Sequence, residues 1–400
     1  MQKRIIAFMV AALYVGGAAA ATAPRYTFTR LASLGGTSSQ GSSINDFGLI
    51  SGFSNTRNNA NTHATIWWFG AKRDLGTLGG GNSAVLWPVK NDLGVVSGIA
   101  QTGRQNPLDE SWSCAPFIGS DGNTCLGFVW AFGKMQALPP LPGGYNSFAT
   151  GTNNRLQTVG WAETGYHDPS CNADPDKGLV QVLQFLPVIW GPGRNQIKAL
   201  PLLPGDDSGA ATAINDRGDV VGISGTCDQA VGRHTAKHMV LWKNGHAVDI
   251  GSLGGDAWNT PMAINALGDV VGFAQPAPPS QAFSHAFFRG RAGGSPHDLG
   301  VLTPEDPDSY SQALGINDRG QVVGVSCGGT EGCHGFLWQD GVMYDLNDPD
   351  LIGSGQSDVI TDAQDINDLG QITGQACTPD SSVCYTFRAD PVPDYGSGSH

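Results

Sequence analysis

The stretch that decides the fold is residues 316–324, Ile-Asn-Asp-Arg-Gly-Gln-Val-Val-Gly. Asn317 and Asp318 favour a type I turn through their side-chain hydrogen bonds, and Gly320 suits the left-handed position that follows such a turn. The β-branched run after the glycine favours a strand. The stretch therefore predicts a β-hairpin turn that leads into a strand.

This turn recurs along the chain, and its leading asparagines are separated by 46, 62, 62, 50, 52 and 50 residues. A period of about 50 residues is typical of β-propeller blades. Two copies are degraded, because Ala266 replaces the aspartate in one and Leu156 replaces the glycine in the other. The seven turns begin at Asn45, Asn91, Asn153, Asn215, Asn265, Asn317 and Asn367.

Each repeat contains four segments with the alternation and length of strands. In the repeat around Asn265 the segments are residues 257–264, 269–273, 286–289 and the stretch that ends at Asp298 and Leu299. We therefore expect an all-β fold, a seven-bladed propeller of four-stranded blades.

The two ends of the chain match different parts of one repeat. Residues 26–31 match a fourth strand, and residues 384–388 match a third strand. Joining them completes a seventh blade, and ring closure removes the exposed edges of an open array. The N-terminal strand is thus expected to complete the last blade.

The repeated pieces are Leu-Gly-x-Leu-Gly-Gly, Ile-Asn-Asp-x-Gly-x-Val-Val-Gly and a His-Ala-Phe-Leu-Trp-like segment such as residues 285–288. This pattern resembles the HAF repeat of bacterial extracellular proteins, and the resemblance covers residues 26–389. It implies an exported repeat protein with a propeller-like fold. It implies no catalytic residues.

The first 23 residues have the layout of a secretory signal peptide. Lys3 and Arg4 precede the apolar run 5–15, and residues 18–23 are mostly alanine. A membrane anchor would need roughly 20 apolar residues, so we expect no membrane insertion. The predicted organisation is a removed signal peptide (1–23), a propeller (24–390) and a polar tail (391–400), in a secreted or periplasmic protein.

The composition limits the partners. The formal net charge is −13, and an acidic protein repels phosphate backbones, which argues against nucleic acid. The 57 glycines and the sparse charged residues fit many short strands joined by tight turns.

The eight cysteines favour disulfides in an exported chain. A zinc site is disfavoured because no Cys-x-x-Cys pair occurs. Three local pairs are expected, and the two remaining cysteines could link neighbouring blades. The predicted pairs are Cys114–Cys125, Cys327–Cys333, Cys377–Cys384 and Cys171–Cys227.

Two repeats carry insertions, at about residues 99–126 and 161–184. These loops and the blade-linking loops should share one face, and binding groups concentrate on loops held by a rigid scaffold. Aromatic side chains there could grip a sugar or a partner protein, although simple loop packing explains them as well. The candidate binding residues on this face are Trp112, Trp161, Trp258, His167, Asp109, Glu110, Asp168 and Asp256.

Other aromatic and histidine residues follow the repeat and are interpreted as structural. Trp67, Trp130, Trp190, Trp242 and Trp338 share one position of the third strand, and His63, His285 and His334 precede it. The acids of the blade-linking loops could instead surround the mouth of the central channel and hold a calcium ion. These acids are Asp206, Asp207, Asp256, Glu305, Asp306 and Asp308.

The sequence thus predicts an exported binding module for carbohydrate or protein, acting through the loop-rich face. One alternative is a glycoside hydrolase or polysaccharide lyase, for which Asp109 with Glu110 and Glu163 with Asp168 are the acid pairs. The other alternative is a passive component of the envelope or matrix. The sequence indicates no definite cofactor or catalytic residue.

Overall fold

The computed structural model describes residues 24–171, 179–193, 196–227, 236–278, 284–329, 332–353 and 357–393. It contains seven four-stranded antiparallel sheets. In six of them the strands follow one another in chain order, and in the seventh the N-terminal strand lies beside the last strand of the chain. The prediction of a seven-bladed all-β propeller is confirmed. The predicted signal peptide, residues 1–23, and most of the predicted tail lie outside the described residues.

The first four blades lie consecutively along the chain. Their strands are, for blade 1, β2 (Gly35–Ile44), β3 (Ile50–Thr56), β4 (Thr62–Trp68) and β5 (Ala71–Asp74); for blade 2, β6 (Gly79–Ala84), β7 (Val96–Gln105), β8 (Asn123–Ala131) and β9 (Lys134–Leu138); for blade 3, β10 (Gly143–Thr152), β11 (Thr158–His167), β12 (Leu183–Trp190) and β13 (Ile197–Ala199); and for blade 4, β14 (Ser208–Ile214), β15 (Val220–Gly225), β16 (His238–Lys243) and β17 (His246–Asp249).

Blades 5 to 7 complete the circle, and the helices are short. The remaining strands are, for blade 5, β18 (Thr260–Ile264), β19 (Val270–Ala274), β20 (His285–Arg289) and β21 (His297–Gly300); for blade 6, β22 (Tyr310–Ile316), β23 (Val322–Gly328), β24 (Gly332–Gln339) and β25 (Val342–Asp345); and for blade 7, β26 (Val359–Ile366), β27 (Ile372–Cys377), β28 (Cys384–Pro391) and β1 (Tyr26–Arg30). The described helices are a 3-10 turn (Arg57–Asn59), α1 (Ala115–Ile118) and α2 (Pro349–Ile352). None of the helices that the structure describes could span a membrane.

Blade 7 is closed by strands from both ends of the chain. β1 pairs antiparallel with β28, with Tyr26 opposite Pro391 and Arg30 opposite Phe387. The aromatic ring of Phe28 stacks on that of Phe387 at a centroid distance of 5.3 Å. The predicted closure by the N-terminal strand is therefore what the structure contains.

The Asn-Asp-x-Gly turns connect the first and second strands of the blades and meet around the axis. In the first turn, Oδ1 of Asn45 accepts hydrogen bonds from the backbone N–H of Phe47 and Leu49. The side-chain amide donates to a backbone carbonyl of the next blade, in this turn to Asn91 at 3.3 Å. The same link recurs at all seven junctions, at 2.9–3.3 Å, and the last one runs from Asn367 back to Asn45.

The interfaces between blades contain the recurring aromatic residues. Trp67, Trp190 and Trp242 are buried, and each indole N–H donates to the carbonyl of a blade-linking residue, namely Ala32, Pro139 and Pro201. The recurring histidines are paired with acids of the fourth strand, as in His63 with Asp74 at 2.8 Å. These contacts agree with structural roles for both sets.

All four predicted disulfides are present, and the structure describes no free cysteine. Three of these disulfides each close a short local loop. The fourth, Cys171–Cys227, spans 56 residues and joins blade 3 to blade 4. Disulfides form and persist in oxidising compartments, so the chain is expected to fold in one.

The antiparallel strand order gives the propeller two distinct faces. The loops between second and third strands and the loops between blades lie on one side, which we call the loop face. The Asn-Asp-x-Gly turns and the hairpins between third and fourth strands lie on the other side, which we call the turn face.

Candidate functional site

The two insertions of the loop face pack against each other. The backbone N–H groups of Ser111 and Trp112 donate to the carbonyl of Val180 at 2.9 and 3.1 Å. Glu110 also reaches across, since its Oε1 accepts hydrogen bonds from the N–H groups of Val182 and Leu183. The insertions therefore form one layer on blades 2 and 3.

Trp112 and Trp161 lie inside this layer and expose only 8 % and 3 % of their surface. Trp112 stacks on Phe185 at 5.1 Å, and Trp161 stacks on Phe148 at 4.2 Å. The interpretation that these two indoles present an exposed ring face to a ligand is therefore wrong. Packing between two insertions distant in sequence buries them.

The acidic candidates of the insertions are mostly buried as well. Glu110 and Glu163 are 1 % and 0 % exposed. The amide of Gln181 donates to Oε1 of both carboxylates, at 3.4 and 3.1 Å. Burial, followed by the nearby charge of Glu110, raises the pKa of Glu163 to about 7. Neither carboxylate can contact a polysaccharide in this arrangement.

The other candidates of the loop face belong to different blades and differ in exposure. Asp109 and His167 are exposed, whereas Asp168 is buried. Trp258 is half-buried in the loop that links blades 4 and 5, and the neighbouring Asp256 is exposed.

Two of the blade-linking acids, Asp206 and Asp306, are held by hydrogen bonds within their own blades. The carboxylate of Asp206 contacts Ser224 and His238 of its own blade, and Asp306 accepts hydrogen bonds from the N–H groups of Gly329 and Asp308. Each of these two carboxylates is therefore engaged within its own blade.

The carboxylates that do converge on the axis belong to the turns, on the opposite face. At six of the seven junctions, a backbone N–H of one turn donates to the Asp or Asn side chain of the next turn, at 2.7–3.2 Å. At the seventh junction the next turn carries Ala266, which has no side-chain oxygen to accept this hydrogen bond. Burial and the neighbouring aspartates raise the pKa values of Asp92 and Asp318. The ring surrounds a cavity of about 100 Å³.

A larger cavity of about 450 Å³ lies between blades 1 and 2 on the turn face. We call it the blade 1–2 groove. Trp68 and Phe47 are 49 % and 66 % exposed, and Leu93 of blade 2 is 54 % exposed. The residues that line it are Asn45, Phe47, Leu49, Ile66, Trp68, Ala71, Lys72, Arg73, Asp92, Leu93, Gly94 and Trp130.

Two phenylalanines extend this aromatic surface at the tips of adjacent hairpins. Phe69 and Phe132 are 83 % and 102 % exposed, and both have a left-handed backbone, with φ of 47° and 50°. The equivalent positions of blades 4 and 6 hold Asn244 and Asp340, the residues that such turns prefer. A phenylalanine at this position is strained, because a bulky side chain disfavours the left-handed backbone.

The sequence contained a signal for this site. The third strand and its hairpin read Trp-Lys-Asn-Gly at residues 242–245 and Trp-Gln-Asp-Gly at 338–341, but Trp-Trp-Phe-Gly at 67–70 and Trp-Ala-Phe-Gly at 130–133. A comparison of the hairpins would have shown three aromatic departures on two adjacent blades. The two insertions are longer departures from the repeat, but their tryptophans are buried.

The comparisons with known proteins concern the fold. No protein-family model matches the chain, and no curated protein matches it. The chain is similar to the β-propeller domain of the Trilobed protease from Pyrococcus furiosus, described as having an open velcro topology, with a TM-score of 0.52 at 9 % identity over 93 % of this chain and 97 % of that chain. In this chain, by contrast, β1 closes blade 7.

Weaker likenesses extend to other propellers. TolB from Acinetobacter baumannii matches with a TM-score of 0.44 at 11 % identity, over 87 % of this chain and 64 % of that chain. The Aleuria aurantia lectin, solved in complex with Fucalpha1-6GlcNAc, matches with a TM-score of 0.37 at 9 % identity, over 80 % of this chain and 97 % of that chain. At such identities these likenesses carry no functional assignment.

Proposed function

We propose that the protein is an exported propeller of the HAF-repeat type that binds carbohydrate in the blade 1–2 groove. The observation that carries this proposal is the half-exposed indole of Trp68, which lines a concave cavity of about 450 Å³. Ligand pockets are typically concave, apolar and roughly 300–1,000 Å³ in volume, with a few polar groups that fix orientation. The groove has each of these properties.

The chemistry of the groove fits a sugar ring. An exposed aromatic face can pack against the C–H groups of a sugar, while Lys72, Arg73 and Asp92 offer charged partners for its polar groups. Arg73 is held over the ring of Trp130, with its Cζ 5.1 Å from the centroid. Guanidinium groups match carboxylates in two-pronged geometry, so the expected ligand is a saccharide that carries a carboxylate.

Export rests on two supports. The signal-peptide prediction falls on residues outside the described structure, and the four disulfides favour an oxidising compartment. The HAF-repeat resemblance of residues 26–389 agrees with both.

We do not propose a hydrolase or lyase. The acid pairs considered from the sequence include Glu110 and Glu163, which have no access to solvent, and Asp168, which is 5 % exposed. An acid that acts on a glycosidic bond must touch it. The surface that could receive a sugar ring lies on the opposite face.

The test is a glycan array probed with the purified mature protein, followed by titration of any hit. Trp68→Ala should weaken binding by about tenfold or more, equivalent to ~1.4 kcal/mol, because it removes the stacking surface. Leu369→Ala is the matched control, since Leu369 is 58 % exposed at the turn position of Phe47 but in blade 7. This control should bind as the parent does.

Two outcomes would contradict the proposal. Binding that persists in Trp68→Ala but disappears in Asp109→Ala or His167→Ala would place the ligand on the loop face. A folded protein that binds no glycan at all would instead favour a protein partner for the groove, or a passive structural role.

A further inference from the structure

The junction between blades 3 and 4 on the loop face holds two carboxylates beside the Cys171–Cys227 disulfide. Asp168 follows β11, and its carboxylate lies within 4.8 Å of both sulfur atoms. Asp207 precedes β14, and its carboxylate faces the backbone N–H of Cys227. The sulfurs are bonded to each other and are no thiolate ligands, so the metal-binding chemistry here belongs to the oxygen atoms.

These carboxylates have oxygen atoms with unused bonding capacity. Asp168 is 5 % exposed, and its Oδ1 accepts a hydrogen bond from the N–H of Ser170 at 2.8 Å. Its Oδ2 is buried without a hydrogen-bond partner, and the same is true of Oδ1 of Asp207 and Oγ of Ser170. Buried polar atoms without a partner are rare in native proteins and call for a water or an ion.

The negative charges here lack compensation among the residues that the structure describes. Both carboxylates lie beside Cys227, that of Asp168 near the sulfur atom and that of Asp207 at the backbone N–H. The adjacent histidine, His238, is already paired with Asp206 at 2.9 Å. The described ion pairs include no basic side chain bound to Asp168 or Asp207. Two carboxylates that repel each other in a partly buried junction favour a cation between them.

We propose that this junction binds a calcium ion through Asp168 and Asp207. The hydroxyl groups of Ser170 and Ser208 are the neighbouring neutral oxygens, and water and backbone carbonyls would complete the shell. Calcium takes six to eight oxygen ligands in flexible geometry, whereas zinc and copper prefer the nitrogen and sulfur ligands that the site lacks.

The proposed ion would clamp the insertion of blade 3 to the start of blade 4, at the same place as the long-range disulfide. It is independent of the proposed function, because the blade 1–2 groove lies on the other face. Its expected effect is on stability, since an ion that binds only the folded chain stabilises it by mass action.

The experiment measures calcium binding by calorimetry and melting temperature in calcium and in EDTA. The mature wild-type protein should bind one calcium ion at this site and melt a few degrees higher in saturating calcium. Asp207→Asn and Asp168→Asn should lose the calcium-dependent part of the shift. Asp256→Asn is the matched control, because Asp256 is an exposed acid of a blade-linking loop, and it should keep the full shift.

The variants also separate an ion site from a merely structural role. In EDTA, Asp207→Asn should melt at or above the wild-type temperature, because it removes the repulsion from Asp168. A structural role would lower the melting temperature equally with and without calcium. If Asp168→Asn fails to fold, the Asp207→Asn variant still tests the proposal, because Asp207 is only half-buried. A wild-type protein that shows no heat of binding and no shift, or an Asp256→Asn variant that loses the shift equally, would overturn the proposal.

Discussion

At the scale of single residues, the two hairpin phenylalanines show how a local conflict can indicate function. Phe69 and Phe132 occupy left-handed positions at which a bulky side chain costs roughly 1–3 kcal/mol. Natural proteins carry such strain chiefly where it serves a site. The same position holds asparagine and aspartate in blades 4 and 6, which shows what the turn itself prefers.

We therefore expect Phe69→Asn and Phe132→Asn to stabilise the protein and to weaken ligand binding. Relief of strain should raise the melting temperature by about 1–2 °C each, because a kcal/mol shifts a large protein only slightly. Calorimetry gives the first quantity and glycan titration the second. Asn244→Phe is the reverse control and should lower the melting temperature without affecting binding. A rise in stability with unchanged affinity would mean that the phenylalanines serve another purpose.

At the scale of elements, the layer formed by the two insertions should respond to pH through its buried carboxylates. The pKa of Glu163 is raised from 4.5 to about 7 in the folded protein. A raised acid pKa stabilises the fold fully below the unfolded value, and this stability is lost as the pH rises to the folded value. The contribution of this pair to the free energy of unfolding should therefore decline between about pH 4.5 and 7.

Two isosteric variants test this prediction. In Glu110→Gln the remaining carbonyl can still accept the hydrogen bonds of Oε1, and only the unpartnered Oε2 is replaced. We expect this variant to be more stable than wild type at pH 8. In Glu163 both carboxylate oxygens accept hydrogen bonds from N–H groups. The NH2 group of Glu163→Gln would therefore face N–H donors in either orientation, and this variant should be less stable than wild type at every pH. Thermal unfolding from pH 4 to pH 8 distinguishes the two, and identical pH profiles for wild type and Glu110→Gln would refute the coupling.

The elements also show which features the sequence could predict. The turn at Asn317 is determined by residues within one hairpin, so its geometry and its recurrence were readable from the chain. The burial of Trp112 depends on Phe185 and on Val180, more than sixty residues away, and no local pattern encodes that contact. The blade 1–2 groove is predictable only in part. Trp68 is a visible departure from the repeat, but the cavity depends on how blades 1 and 2 pack together.

At the scale of the whole molecule, stability depends on the closure of blade 7. Tyr26 is buried, and Phe28 packs on Tyr385 and Phe387. A mature chain that begins at Ala32 should melt lower and self-associate, because β28 would then be an open edge with an apolar face. Size-exclusion chromatography with light scattering measures the association, and a chain that begins at Arg25 is the control. A monomer with an unchanged melting temperature would show that closure adds little.

The pairing of β1 with β28 also determines how the molecule would bear a mechanical load. The chain leaves this pair at Tyr26 and Pro391, which face each other, and the N–H of Val392 still bonds the carbonyl of Arg25 at 2.7 Å. Tension applied between the two ends would load the residue pairs of β1 and β28 one after another, in an unzipping geometry. It would not load all five pairs at once, as a shear geometry would. A protein tethered by both ends should therefore open first at blade 7, at low force, while the other six blades stay folded.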